Sequence, residues 1–281
     1  MNKGITMAVM SSLTFSIMNV LVKLVSTRIP SSEITFFRGL IGTILVLIFM
    51  KVQKVKFSNK ENKILYLRGL LGGIYMLTYF YAISKLKLGD VSILVQLSGV
   101  FVVIFSSIFL KEKLQPKTYI FIFAIIIGTC IIINPLKFSS YSQYAIFGIL
   151  AAAFSGAASI TIRYLARSGL HHNYEIMFFF LFISTIVAIP LMYSNFIIPN
   201  GKELIILIII GVVSFIAQIF LTGAFSHQNA IIVEFVRYIG IFINNLWGFI
   251  IFKETITLQS IIGGTIIVIS TILLSKTQKD K

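Results

Sequence analysis

Long apolar runs alternate along this chain with short polar interruptions. Ten runs can be marked, at approximately 4–26, 32–50, 64–84, 89–110, 117–134, 144–165, 173–193, 203–225, 230–251 and 257–275. Each is close to the roughly 20 residues that a helix needs to cross the hydrocarbon of a bilayer. The interruptions are built from Pro, Gly, Asn, Ser and charges: Pro30–Ser32, Ser58–Lys63, Leu88–Asp90, Pro135–Gln143 and Pro199–Lys202. Hydrocarbon offers no water to an unpaired backbone group, so such runs are predicted to be helical. The pattern therefore predicts an all-α membrane protein with ten transmembrane helices.

Composition points the same way. The 281 residues are 57% hydrophobic and 12% charged, with a mean hydropathy of +0.97. Soluble domains are nearer about one quarter charged, and a soluble core of this length would leave much Ile, Leu, Val and Phe in water. A net charge of +15 would suit a nucleic-acid partner. The basic residues, however, sit in short loops between apolar runs and make no continuous basic face. The expected surroundings are the lipid bilayer, with no nucleic acid. The first run follows Lys3, is broken by Ser11, Ser12, Ser16 and Asn19, and lacks a small-residue cleavage site. It reads as a retained span.

Loop charge sets the orientation. With the N-terminus inside, the inner segments hold Lys3, Lys51, Lys54, Lys56, Lys60, Lys63, Arg68, Lys111, Lys113, Lys117, Arg163, Arg167, Lys276, Lys279 and Lys281. The outer segments hold only Arg28, Lys85, Lys87, Lys137, Lys202 and Lys253. That asymmetry predicts a multi-pass protein of the cytoplasmic (inner) membrane with both termini cytoplasmic and an even number of spans.

The chain also repeats itself at a period of about 142 residues. Glu33-Ile34-Thr35-Phe36-Phe37 returns as Glu175-Ile176-Met177-Phe178-Phe179, and Phe109-Leu110-Lys111-Glu112 as Ile251-Phe252-Lys253-Glu254. Ala82-Ile83-Ser84 against Ala224-Phe225-Ser226 keeps the offset. Five runs per half give the second half opposite polarity in the membrane. The prediction is two inverted five-helix repeats, 1–138 and 139–281, with a substrate site between them near the midplane.

With five plus five spans, and a Lys-Glu pair before the last span of each half, the chain resembles the drug/metabolite transporter superfamily, EamA type. The segments that carry the likeness are Phe101 through Leu114 and Phe242 through Ile256. Such proteins often place Pro ahead of these segments, where Gly99 and Gly240 stand here. Three further segments look like bacterial S-adenosylmethionine uptake transporters: Ser26-Thr27-Arg28 with Glu33 and Phe36-Phe37-Arg38, then Leu67 through Leu71, then Arg237-Tyr238. The resemblance implies a secondary transporter moving a small polar metabolite by alternating access, amino-acid- or nucleoside-like, S-adenosylmethionine included. It would work with a coupling proton or a counter-substrate, as a monomer or homodimer. The alternative is an exporter of drugs or cationic compounds, which would favour an acid well inside span one, and none is there.

Charges within spans are costly and usually face a cavity or a partner. Arg237 lies about seven residues into the ninth span, with Glu234 one turn earlier on the same face. The pair is either a guanidinium held ready for a substrate anion or a closed lock between helices. Arg38 sits near the outer end of span two and either guides an anion or bonds to backbone carbonyls. Lys23 and Glu33 face each other across a short turn, as a gate or as an interfacial pair. Polar and aromatic residues inside the runs complete the candidate substrate site: Asn19, Tyr75, Tyr79, Gln96, Ser98, Gln218, Tyr238, Asn244 and Trp247. Tyr75 and Tyr79, four apart, share a helical face. Gly69 and Gly73 suggest close helix packing. No HExxH, P-loop or GxSxG motif is present, so no enzyme activity is expected. Cys130 alone makes no intrachain disulfide, and no Cys/His spacing suits a metal or cofactor. His171 and His172 read as solvated loop residues.

Overall fold

A computed structural model describes residues 3–58, 60, 62–110, 116–133, 140–228 and 230–277. Its helices are α1 (Lys3–Val25), α2 (Ser31–Val52), α3 (Asn62–Lys85), α4 (Leu88–Val95), α5 (Ser98–Leu110), α6 (Pro116–Ile133), α7 (Ser140–Ser168), α8 (Asn173–Tyr193), α9 (Gly201–His227), α10 (Ala230–Arg237), α11 (Ile239–Phe252) and α12 (Leu258–Thr277). No strand occurs among the described residues. Ile- and Val-rich runs favour strands in water, but only a helix pairs every backbone group of an isolated segment within lipid. Among the described residues, six stretches are long and apolar enough to cross a bilayer: Lys3–Val25, Ser31–Val52, Leu88–Phe105, Gln143–Ser168, Asn173–Tyr193 and Gly201–His227. Shorter apolar helical stretches lie at Tyr119–Ile131, Ile239–Phe252 and Leu258–Ser270.

The distribution of side chains is inverted relative to a water-soluble protein. Ile44, Ile48, Ile120, Phe123 and Phe249 lie half or more exposed, while Ser11, Ser16, Thr35, Ser184, Ser214 and even Arg38 are fully buried. A helix apolar on every side suits a surface that meets hydrocarbon.

Each apolar run becomes a helix, but two runs are split. The run at 89–110 divides into α4 and α5, and the run at 230–251 into α10 and α11. The splits are in register. An offset of 142 carries Leu88–Val95 onto Ala230–Arg237. Packing follows the same offset: α1 lies on α9 and α3 on α7, whereas α2 packs on α8 and α6 on α12.

Helices α2 and α8 run antiparallel. Ser32 Oγ donates to the Leu191 carbonyl at 3.3 Å, and Gln53 Nε2 to the Tyr174 hydroxyl at 3.3 Å. The two glutamates that head the sequence repeat play matching parts. Glu33, in the first turn of α2, accepts the Ile197 N–H at 3.1 Å; Glu175, in the first turn of α8, accepts that of Ser58 at 2.9 Å. Each carboxylate ties down the loop that follows the other helix. His171 is not solvated as its loop position suggested. It is buried, with Nδ1 3.0 Å from Glu175 Oε2, and His172 caps α8 by accepting the Tyr174 N–H. Lys111, Glu112, Lys113, Lys137, Lys279, Lys281 and the 138/139 boundary lie outside the described residues.

Gly69 brings α3 onto α8 at close range. A Cβ there would stand 2.7 Å from the Phe179 carbonyl oxygen and 2.8 Å from Ile183 Cβ. Gly69→Val is therefore expected to destabilise the detergent-solubilised protein by about 1–3 kcal/mol, the usual range for overpacking. Gly201→Ala, with nothing within 4 Å, should leave the thermal unfolding curve in place. Equal curves for the two variants would refute the tight α3–α8 contact.

Candidate functional site

Breaking a helix inside a membrane leaves backbone groups to be paired locally. Between α4 and α5 the chain tightens: Gln96 N–H bonds to the Ile93 carbonyl and Leu97 N–H to that of Leu94, each at 3.1 Å and three residues back. At the second break, Ile241 N–H bonds to the Tyr238 carbonyl at 3.0 Å. The Tyr238 hydroxyl then donates to the Gln96 carbonyl at 3.3 Å, a contact spanning 142 residues. Each break thus meets its counterpart. Gly99 and Gly240 follow the breaks, so both helices part without the proline expected there.

A cavity of about 80 Å³ opens beside the breaks. That holds several waters. It is below the ~300 Å³ of typical ligand pockets, too small in the described conformation to hold a metabolite. Helix α1 contributes Ser12, Ser16 and Asn19, which recur at helical spacing on one face. Helix α3 contributes Arg68, Tyr75 and Tyr79; α7 contributes Ser155 and Ser159; α9 contributes Gln218. Gln96, Arg237 and Asn244 complete the polar wall.

Arg237 Nη1 lies 2.9 Å from both carboxylate oxygens of Glu234. Glu234 also accepts from Ser159 Oγ at 2.9 Å and from Ser98 Oγ at 3.5 Å. The cavity presents the guanidinium, while its carboxylate stands behind it. Asn19 Nδ2 points to Asn244 Oδ1 at 3.5 Å, and Gln218 Nε2 donates to Thr222 at 3.2 Å. Tyr75 and Tyr79 stack on each other, with centroids 5.5 Å apart and planes 17° from parallel.

Arg68 is the charged cavity residue that sequence reasoning missed, alongside the lining serines Ser12, Ser16, Ser92, Ser155 and Ser159. Charge counting assigned it to an inner loop, yet it is 4% exposed and lines the cavity. Its place seven residues into α3, about 10 Å along the helix, was the available signal. The Arg68 guanidinium carbon lies 4.2 Å from the centre of the Phe180 ring, and that of Arg38 lies 5.3 Å from the same ring. Arg38 does not line the cavity; it lies behind, wholly buried. Among the described residues, no hydrogen-bond partner reaches Arg38 Nε, Nη1 or Nη2, or Arg68 Nε or Nη1. Cation–π contact gives back about 2 kcal/mol when desolvated. Burial of an unanswered ion costs several kcal/mol, so the ring alone does not balance the pair.

Of the remaining candidates, Tyr238, Ser98, Glu234 and Trp247 support the cavity wall without lining it, Trp247 by donating its Nε1 to Ser16 Oγ at 3.3 Å. The Lys23–Glu33 gate does not form. Lys23 pairs with Glu254 and donates to the Leu86 carbonyl, while Glu33 holds Ile197. The reason is packing: α1 lies against α9 and α11, α2 against α8, and the turn between them carries the two charges onto different neighbours. Glu254 also accepts the Leu88 N–H at 2.9 Å, and Lys87 Nζ reaches the Thr255 carbonyl at 2.7 Å. These contacts clasp the starts of α4 and α12 over one end of the molecule.

Comparison with known proteins accords with this architecture. The EamA-like transporter family matches residues 2–134 and again residues 142–276. Over 280 residues the chain is 44% identical to the pseudopaline exporter CntI of Pseudomonas aeruginosa, covering 99% of this chain and 98% of that one. It is 27% identical to the riboflavin transporter of Brucella anthropi over 257 residues, 89% of each. It is 22% identical to the S-adenosylmethionine uptake transporter of Rickettsia felis, covering 98% of this chain and 93% of that one. A solved crystal structure with 15% identity superposes with a TM-score of 0.69 over 97% of this chain and 98% of that chain, a likeness of fold. With one family matched twice along nearly its whole length, the chain belongs to the EamA-like transporters of the drug/metabolite transporter superfamily, multi-pass membrane proteins that carry small molecules and are not enzymes.

Proposed function

We propose that the protein is a secondary carrier that exports a small polar metabolite across the cytoplasmic membrane by alternating access. Its ten transmembrane helices would form two inverted five-helix repeats, residues 1–138 and 139–281, with both termini in the cytoplasm. The observation that carries this reading is the small cavity, lined in part by polar and charged residues, where two helix breaks meet 142 residues apart. Broken helices at corresponding positions of two halves are the usual frame of a midplane site. The repeat is supported by the family matches, which fall on either side of the 138/139 boundary. The reciprocal roles of Glu33 and Glu175 support it further. Moving Arg68 from the loops into the cavity leaves the charge asymmetry of the loops intact, in favour of cytoplasmic termini.

Export is favoured because the relative at 44% identity is an exporter, whereas the S-adenosylmethionine uptake transporters match at 22% and 24%. The cavity argues against drugs or cationic compounds. Its nearest carboxylate, Glu234, is already taken by Arg237 and Ser159. The same charge balance disfavours S-adenosylmethionine at its sulfonium and suits an amino-acid-like solute with anionic groups.

Mass spectrometry of the medium from cells with and without the chain identifies the exported solute, with pseudopaline the first compound to seek. Arg237→Ala is expected to cut that export at least about tenfold, the scale of a lost charged hydrogen bond, with membrane insertion unchanged. Full export by this variant would remove the assigned site.

The Lys23–Glu254 clasp serves, in this reading, as the outer gate. In a Cys130→Ser background, cysteines at positions 23 and 254 joined by a bifunctional thiol reagent should stop transport, and reductant should restore it. Undiminished transport by the linked protein would show that this end does not open.

A further inference from the structure

Two positive charges stand on one side of the cavity with no carboxylate to answer them. Arg68 lines the wall, Arg38 backs it, and five of their guanidinium nitrogens have no partner among the described residues. Both lie against the ring of Phe180. Space is kept for them by Gly72, where a Cβ would meet Arg68 Nη1 and stand 2.6 Å from Phe180 Cε2. A structural brace between helices would direct these forks at backbone carbonyls. Here those five nitrogens are buried and unpaired among the described residues, and Arg68 reaches the wall of the cavity. The acid behind the wall, Glu234, is engaged by Arg237, so that pair is neutral overall.

We propose that Arg68, with Arg38 behind it, receives a dianionic group of the transported solute: two carboxylates, or one phosphate. Guanidinium forks match both bidentately. The neutral Arg237–Glu234 pair then takes a zwitterionic or polar part of the same molecule. This inference rests on the carrier reading above and names the substrate class of that site.

The test is thermal unfolding of the purified full-length protein with acetate, succinate or inorganic phosphate at matched ionic strength. Ligand that binds the folded state raises the Tm. Succinate, phosphate or both should raise it beyond acetate; succinate alone identifies a dicarboxylate, phosphate alone a phosphate group. Arg38→Gln and Arg68→Gln should abolish that rise, and Arg28→Gln, at a half-exposed arginine paired with Glu203, should keep it. Because each Gln variant at 38 or 68 removes an unanswered buried charge, its ligand-free Tm should hold or increase. Arg68→Lys, which keeps the charge without the fork, should retain a reduced rise and covers the case of a Gln variant that does not fold. The proposal is overturned if succinate and phosphate do no more than acetate. It is equally overturned if the rise survives in both Gln variants, including when their ligand-free Tm falls, the signature of a brace. Binding is read here without transport, so a failure of the carrier reading would show separately, as reconstituted protein that binds but moves no solute.

Discussion

Hydrocarbon supplies no hydrogen bonds, and that constraint orders the whole molecule. Segments whose Ile and Val would favour strands in water are helical, because each helix pairs its own backbone. Helices may stop within the apolar layer only where the protein provides substitutes. The α4–α5 and α10–α11 breaks do this with tight three-residue bonds and with the Tyr238 hydroxyl on the Gln96 carbonyl. The broken helices and the cavity are one feature: Gln96, at the first break, also lines the space beside it.

The same constraint sorts the charges. Those at the helix ends are answered by neighbours: Lys23 by Glu254, Glu33 and Glu175 by loop backbone, His171 by Glu175. Arg237 is answered inside the cavity by Glu234. Among the described residues Arg38 and Arg68 are the buried charges left unanswered, and a site that retains an unfavourable charge without a structural partner is where function is to be sought. Fold alone gives no such guidance, since proteins that share it carry riboflavin, S-adenosylmethionine or pseudopaline.

Much of the fold was legible in order. The all-helical class and the approximate bounds of the apolar segments came from run length, and the 142-residue register from the paired glutamate segments. The breaks were not legible, because Gln96 and Tyr238 sit inside unbroken apolar runs and no proline marks them. Part of the site could also be read: Asn19, Tyr75, Tyr79, Gln96, Gln218, Arg237 and Asn244 all reach the cavity, each a polar or aromatic residue in a greasy context. Ser12 and Ser16 share the helical face of Asn19 and had been taken only as interruptions. Arg68 was lost to the loop count because a basic residue near a helix start looks like topology.

The amino-acid sequence by itself determined that this chain enters lipid, that it does so as helices, and that it repeats. Those properties follow from hydropathy and spacing along one dimension. Only the tertiary structure decided which charges meet. Lys23 found Glu254 rather than Glu33, and Arg38 and Arg68 converged on Phe180, because helices distant in sequence pack side by side. Partnership between charges depends on distance in space, and sequence separation does not measure it.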